Sequence, residues 1–579
     1  MTMLTKWGAA LDRSCPLPEY PRPQLRRESF YNLNGVWDYA VTPSGDEPEV
    51  WDGEIVVPFS PEAPLSGAAR GPAKDEYLHY RRGFTLPEGF QKSRVLLHFG
   101  AVDQIAEVFV NGVSAAKHSG GYWPFSADIT SLLREGENIL RVTVRDNADD
   151  PTFAYGKQRY KRGGMWYTAQ SGIWQTVWLE SVPEVYVKSL RITPEFDEAR
   201  VRIELETTLE SSTAITCDVR AADGSFVAGS WAKGGVCVVP LPGFRAWTPD
   251  DPYLYTLDIT CGEDRVESYF AMRKFSYVEL GGHKVFGLNN VPLFHNGLLD
   301  QGYYPDGLLT PPSDEAMVND IETMKRCGFN MLRKHIKIEP LRWYYHCDRL
   351  GMIVWQDMVS GGQPYSFLHV SALPTLGKVD LPDKDAKPYG RSGVLSRARF
   401  RREMADTVRL LYNCPCIALW TVFNEGWGQF DALDMANELK KLDPTRFIDH
   451  ASGWQDQGYE EMKSRHIYFR PVKLKNDGRA LALTEYGGYI LAVDGHRWTD
   501  KVFGYRICRN SAALAHDYEK LMLGQVLPHI RKEGLTAAVY TQITDVEEEL
   551  NGLMTYDREV LKIPEETLRE INAALRFDA

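Results

Sequence analysis

Apolar and polar positions alternate along this chain in two rhythms. From about residue 30 to 183 the runs are short and alternate residue by residue. Val95-Leu96-Leu97-His98-Phe99-Gly100 is one, and Ala106-Glu107-Val108-Phe109-Val110 closes on Asn111-Gly112, a dipeptide that tolerates the positive φ of a hairpin turn. Runs at Asn138–Val144 and Trp174–Leu179 continue the pattern. Many short strands with aromatics and Gly-rich turns predict a jelly-roll β-sandwich, fit either to bind sugar or to act as scaffold. A second β segment, with runs at Val201–Leu205 and Leu254–Ile259, has the length and strand spacing of an immunoglobulin-like sandwich and no cluster of chemically useful side chains. We read it as a spacer.

Beyond residue 273 strands alternate with amphipathic helical stretches. The pattern predicts strands at Val291–Asn296, Asn330–His335, Met352–Asp357, Ile417–Glu425, Arg446–His450, His466–Phe469, Ala480–Glu485 and Ala537–Ile543. Helices are predicted between them, at Asp314–Cys327, Ser396–Leu411, Leu433–Leu442 and Ser511–Arg531. Eight such units match a (β/α)8 TIM barrel. The competing doubly wound sheet would carry a Gly-rich nucleotide turn after its first strand, and Gly287-Leu288-Asn289-Asn290 is not one. The expected division is therefore 1–183 jelly-roll sandwich, 184–273 immunoglobulin-like sandwich and 274–579 barrel.

Composition narrows the function classes. A net charge of -12 gives neither the basic face of a nucleic-acid binder nor a polybasic membrane signal. The N-terminus lacks the apolar core of a signal peptide, and no stretch approaches the length of a membrane span, so a soluble cytoplasmic protein is expected. Nine scattered cysteines without a C-x-x-C pair argue against a disulfide framework, and Cys414 and Cys416 around Pro415 read as incidental rather than as a metal pair.

Two glutamates end apolar strand-like runs, Glu425 after Ile417–Asn424 and Glu485 after Ala480–Thr484. A carboxylate at the end of a buried strand is costly unless paired or used. Two of them at the C-terminal rim of one barrel are the equipment of a glycosidase. Trp420, Phe423 and Trp427 can desolvate Glu425 and hold its proton, whereas Tyr486 offers a hydroxyl beside Glu485. Asn424 is placed to bind a sugar hydroxyl next to the scissile bond. Asp300 and Gln301 follow the first strand, where binding sugar and capping a loop are equally good readings. Trp454 can line the entrance, and Tyr540 can stack under a sugar ring. His466 and Tyr468, two apart, face one side of their strand.

The order of domains, together with four motifs, resembles glycoside hydrolase family 2, the family of β-galactosidases, β-glucuronidases and β-mannosidases. The motifs are Gly172-Ile173-Trp174-Gln175-Thr176-Val177-Trp178-Leu179, Gly328-Phe329-Asn330-Met331-Leu332-Arg333, Asn424-Glu425 and Thr484-Glu485-Tyr486-Gly487. The resemblance implies a retaining double displacement with Glu425 as acid/base and Glu485 as nucleophile. It also implies that Arg333 supports the nucleophile's charge and that Tyr468 steadies it. The strand-two motif departs from the family after Arg333, reading Lys334-His335-Ile336, so His335 stands one place early. Where some members hold magnesium, this chain has Asp357-Met358-Val359; no metal and no cofactor are expected. The Asn-x-Lys clamp that β-glucuronidases of the family use for the sugar carboxylate is absent, and Arg470 and Lys473 read as solvated loop cations. The expected partner is a neutral carbohydrate, a β-galactoside first. A carbohydrate-binding relative without turnover and a transglycosylase are the competing classes. A homodimer is the default assembly.

Overall fold

The computed structural model describes residues 3–208, 214–377 and 380–578. Alternation in the first segment becomes two facing sheets. One has six strands, ordered Gly53–Val57, Gly35–Thr42, Tyr77–Thr85, Glu137–Arg145, Ile105–Val110 and Val113–Ser119. The other runs Tyr31–Asn32, Val177–Val182, Arg94–Phe99 and Phe125–Asp128. In Ile105–Val110 the buried residues are Ala106, Val108 and Val110, the period-two face that the sequence predicts. The second segment repeats the scheme with sheets of three and four strands, and Ile215, Cys217 and Val219 turn inward from Ala214–Arg220. Arg27 couples the two sandwiches, since its guanidinium bonds Glu180 of the first at 3.0 Å and Asp264 of the second at 2.9 Å.

The third segment is the barrel. Its eight parallel strands are β1 His295–Asp300, β2 Met331–Lys334, β3 Ile353–Asp357, β4 Ile417–Thr421, β5 Phe447–Asp449, β6 Met462–Ile467, β7 Ala480–Gly487 and β8 Leu535–Thr541. Helices α1 Asp314–Arg326, α2 Leu341–Leu350, α3 Val394–Leu411 and α4 Ala432–Leu442 lie between the early strands. Ser313 caps α1 by accepting from the Ala316 amide, acidic Asp314 and Glu315 follow, and Lys325 and Arg326 end it, an arrangement matched to the helix dipole.

Three strands differ from expectation: β4, expected to run to Glu425, ends at Thr421, and two others shift. Val291–Pro292 pairs with His283–Leu288 in a separate antiparallel sheet. That sheet plugs the barrel floor, with Phe286 stacked on Phe447 at 4.2 Å, and the first barrel strand starts later, at His295. The sixth strand starts earlier, at Met462, because Lys463 and Arg465 alternate with inward Met462, Ser464 and His466. That alternation is hidden when only apolar residues are counted. The ladder runs β5-β4-β3-β2-β1-β8-β7-β6. Among the described residues no backbone ladder joins β5 to β6. Side chains stitch that seam: Ser464 Oγ donates to Asp449 Oδ1 at 2.9 Å and accepts from the Gly453 amide at 3.3 Å. Among the described residues no helix is long and apolar enough to cross a membrane, and all nine cysteines are free.

Candidate active site

The C-terminal ends of β2, β3, β4, β6 and β7 converge on one polar cluster. Glu485 lies within β7, and Glu425 sits four residues past the end of β4, in a turn where its φ is 53°. A left-handed backbone at a non-glycine residue costs about 1–2 kcal/mol. The turn is held by the Glu425 amide donating to Ser452 O at 2.9 Å and the Trp427 amide donating to Asn424 O at 2.9 Å. Trp454 Nε1 donates to the Glu425 carbonyl at 2.9 Å, so this side chain fixes the turn of the acid residue as well as bordering it.

The two carboxylates have different neighbours. Glu485 Oε2 accepts from Tyr468 Oη at 2.6 Å, and Oε1 accepts from Arg333 Nη1 at 3.2 Å. Arg333 is fully buried; its other donors reach Asp357 at 2.9 and 3.0 Å and Asn424 Oδ1 at 2.8 Å. One guanidinium thus orders a residue from each of β3 and β7 and from the turn after β4. Burial works against the Asp357 carboxylate, but Arg333 and a 2.7 Å hydrogen bond with His335 Nδ1 bring it to about 2. Among the described residues no arginine bonds the Glu425 carboxyl. Burial pushes its carboxyl up, against the more distant charges of Lys157, His335 and Arg333. His466 Nδ1 shares a 2.8 Å hydrogen bond with Glu425 Oε1 and lies 3.6 Å from Glu485 Oε2. Burial drives this imidazole down to about 3, so it is a neutral bridge between the two acids.

Donor atoms of Glu425, His466 and Glu485 all lie within 4.8 Å of one another, a spacing that a metal ion would also accept. The chemistry of the cluster favours another use. Arg333 already balances Glu485, and its guanidinium would oppose a divalent cation at the same spot. The short separation of two unlike carboxyls is instead the geometry of a retaining displacement.

Other expected site residues divide. Arg333, His335, Asn424, Trp454, His466 and Tyr468 all join the cluster. Asp300 does not: its carboxylate is taken by Lys334 Nζ at 2.7 Å and by the Gly302 amide at 2.8 Å, the loop-capping alternative. Gln301 bonds Gln542 at 2.8 Å beside it. Tyr540 corrects the expectation of a sugar platform. It is fully buried, packed edge-on against Tyr486 and Tyr518, with its hydroxyl accepting from the Tyr489 amide. Gly487 lies against the ring, and Tyr518 of the helix Ser511–Leu521 packs edge-on to it.

The structure adds two residues that the sequence reading missed. Tyr505, from the loop after β7, stacks on Tyr468 with centroids 3.9 Å apart. It lies in an aperiodic stretch and left no signal. Lys157 comes from the first domain, on a loop that docks on the barrel rim. Tyr155 and Gly156 amides donate to Ser360 O at 3.1 and 2.9 Å, and Tyr155 Oη donates to Gly362 O at 2.7 Å. The Thr168 amide donates to Glu547 Oε1 at 2.8 Å, Tyr167 Oη bonds Glu549, and Trp166 packs on Trp427 at 5.0 Å. A signal was present: Lys157, Arg159, Lys161 and Arg162 put four cations in six residues of an acidic chain.

Fold and site together define a three-domain barrel protein with an asymmetric pair of glutamates at the barrel's C-terminal mouth. Residues 64–183 match the sugar binding domain of glycosyl hydrolases family 2, residues 185–273 match glycosyl hydrolases family 2, and residues 312–474 match the family's TIM barrel domain. The chain belongs to glycoside hydrolase family 2. It is 25% identical over 387 residues to a β-galactosidase of Thermoanaerobacter pseudethanolicus, covering 63% of this chain and 47% of that protein. The chain thus spans about half the length of that relative. Human β-glucuronidase is 23% identical over 510 residues, 78% of this chain and 73% of that one. Among solved structures, a β-glucuronidase from an uncultured Clostridium sp. superposes with a TM-score of 0.75 at 19% identity, over 95% of this chain and 99% of that one.

Proposed function

We propose that this chain is a retaining β-glycosidase that removes a hexosyl unit from the non-reducing end of its substrate. Glu485 attacks the anomeric carbon while Glu425 gives its proton to the leaving oxygen; Glu425 then takes a proton from the water that releases the sugar. Arg333 and Tyr468 hold the Glu485 carboxylate in place and aim it. Asn424, oriented by Arg333, is free to bind the hydroxyl beside the anomeric carbon. The observation that carries this reading is the contrast between two close carboxyls, one desolvated with its pKa raised, the other matched by a guanidinium and a phenol. The test is a mechanism-based fluoroglycoside with peptide mass analysis. The adduct is expected on Glu485, and E485Q is expected to abolish both labelling and turnover of aryl β-glycosides; an adduct elsewhere, or full turnover by E485Q, would refute the proposal.

Two sugars compete. The missing Asn-x-Lys triplet favours the neutral β-galactoside expected from sequence. The names of several relatives and the cationic loop over the cleft favour a β-hexuronide, and the loop decides us for the second reading.

A further inference from the structure

Lys157 is a cation near the candidate active site that the displacement does not use. The residue is only 9% exposed, and among the described residues its ammonium makes no hydrogen bond and no ion pair. An ammonium held at the rim of a cleft without a counter-ion is available to the charge of a ligand. Its position is set by firm contacts. The preceding Gly156 has a φ of +64°, and a side chain there would stand 3.0 Å from Ile336 O, next to His335. Two residues further on, Arg159 stacks on Trp166 at 4.3 Å, and the Lys157 ammonium lies 5.7 Å from the same ring. Trp166 leans on Trp427, whose buried indole N–H also has no partner and which follows Glu425 by two residues. Trp166 thus links the Lys157 ammonium to the Trp427 indole on the wall beside Glu425. The charge of Lys157 reaches Glu425, His335 and Glu549, which border this space from β4, β2 and the loop after β8.

We propose that Lys157, supplied by the first domain, is the specificity residue that binds the carboxylate of a hexuronide in the barrel's active site. The inference rests on the glycosidase reading above and adds the substrate class. A carboxylate satisfies a buried ammonium with a strong charge-assisted contact, and the Trp427 N–H is available as a second donor. A neutral sugar would leave the ammonium without an anionic partner. Tuning the acidity of Glu425 is the rival role for this cation, and it would treat all sugars alike.

The experiment compares kcat/KM of the full chain and of K157M and K157R on aryl β-glucuronide, β-galacturonide, β-glucoside, β-galactoside and 6-sulfated β-galactoside, with thermal unfolding of each variant. We expect the wild type to favour one uronide over its neutral counterpart by roughly 100-fold or more. K157M should cut that ratio by a similar factor, and K157R should restore part of it. A wild type that prefers a neutral or sulfated sugar overturns the proposal, and this arm decides even if K157M does not fold. An unchanged ratio in folded K157M, with all rates lowered together, also overturns it and assigns Lys157 to Glu425. Turnover of neutral glycosides lost in E485Q would leave the glycosidase reading standing, whereas turnover of none of the five sugars would count against that reading itself.

Discussion

At the scale of single residues, the site turns two identical side chains into different reagents by their contacts. Because the Glu425 carboxyl is pushed up, the acid form persists above the ordinary carboxylate range. The kcat/KM of the enzyme should fall as pH rises through that raised value, and E425Q should lose the limb. Its rate should drop about 10²–10⁴-fold for poor leaving groups and less for nitrophenolates, which need no proton. Tyr468 donates to charged Glu485, and a hydrogen bond to a charged group contributes about 1.5–3 kcal/mol. Y468F should lower turnover by the corresponding one to two orders of magnitude and lower thermal stability as well, which kinetics and unfolding curves measured together would show. Both glutamates were legible in the sequence, since a carboxylate closing an apolar run is conspicuous. Lys157 stood out only as part of a cationic run, because 268 residues separate it from Glu425 and nothing local to either shows that they meet.

At the scale of elements, the barrel strands were legible where the run was continuously apolar, as in β3, β4, β7 and β8. They slipped where inward positions are polar, as in β6, or where an apolar run serves a neighbouring sheet, as at Val291–Pro292. Tyr540 shows the limit of placing a side chain from strand periodicity alone. Its position on β8 was read correctly, but the tertiary contacts of Tyr486, Gly487 and Tyr518 decide which way it is covered. Connections between strands carry site geometry too. Gly453, just past β5, has a φ of +92°, and an added Cβ would stand 2.5 Å from the His466 ring. G453A should push the imidazole off Glu425, and a displacement near 1 Å costs about 10²-fold in rate. Steady-state kinetics beside an unfolding curve would separate this effect from simple instability.

At the scale of the whole molecule, a loop of the first domain docks on the rim of the candidate active site, and the second domain is tied to the first through a buried charge cluster. Burial works against Glu180, but Arg22, His98 and Arg27 bring its carboxyl down to about 2. With a folded pKa below the unfolded one, its stabilisation is complete above the ordinary carboxylate range and is lost as pH falls toward 2. R27M would leave Glu180 and Asp264 short of a partner, and breaking a buried pair costs about 3–5 kcal/mol. Urea unfolding at neutral pH should show this loss, and the gap between R27M and wild type should narrow in acid. The domain order was legible from the change of rhythm near residue 274. The docking of residues 153–168 on the barrel was not, because loop conformation has no periodicity to read.

The seam between β5 and β6 has a mechanical consequence. Around the barrel wall, the short route from β4 to β7 crosses that unladdered gap, so the sheet gauges the interval between the two glutamates only along its longer arc. The remaining gauge is made of side chains: His466 spans the opening from one acid to the other, and Arg333 ties both flanks from the opposite side. The interval between the two acids is therefore set by two side chains, and the loss of either should change it without unzipping the sheet.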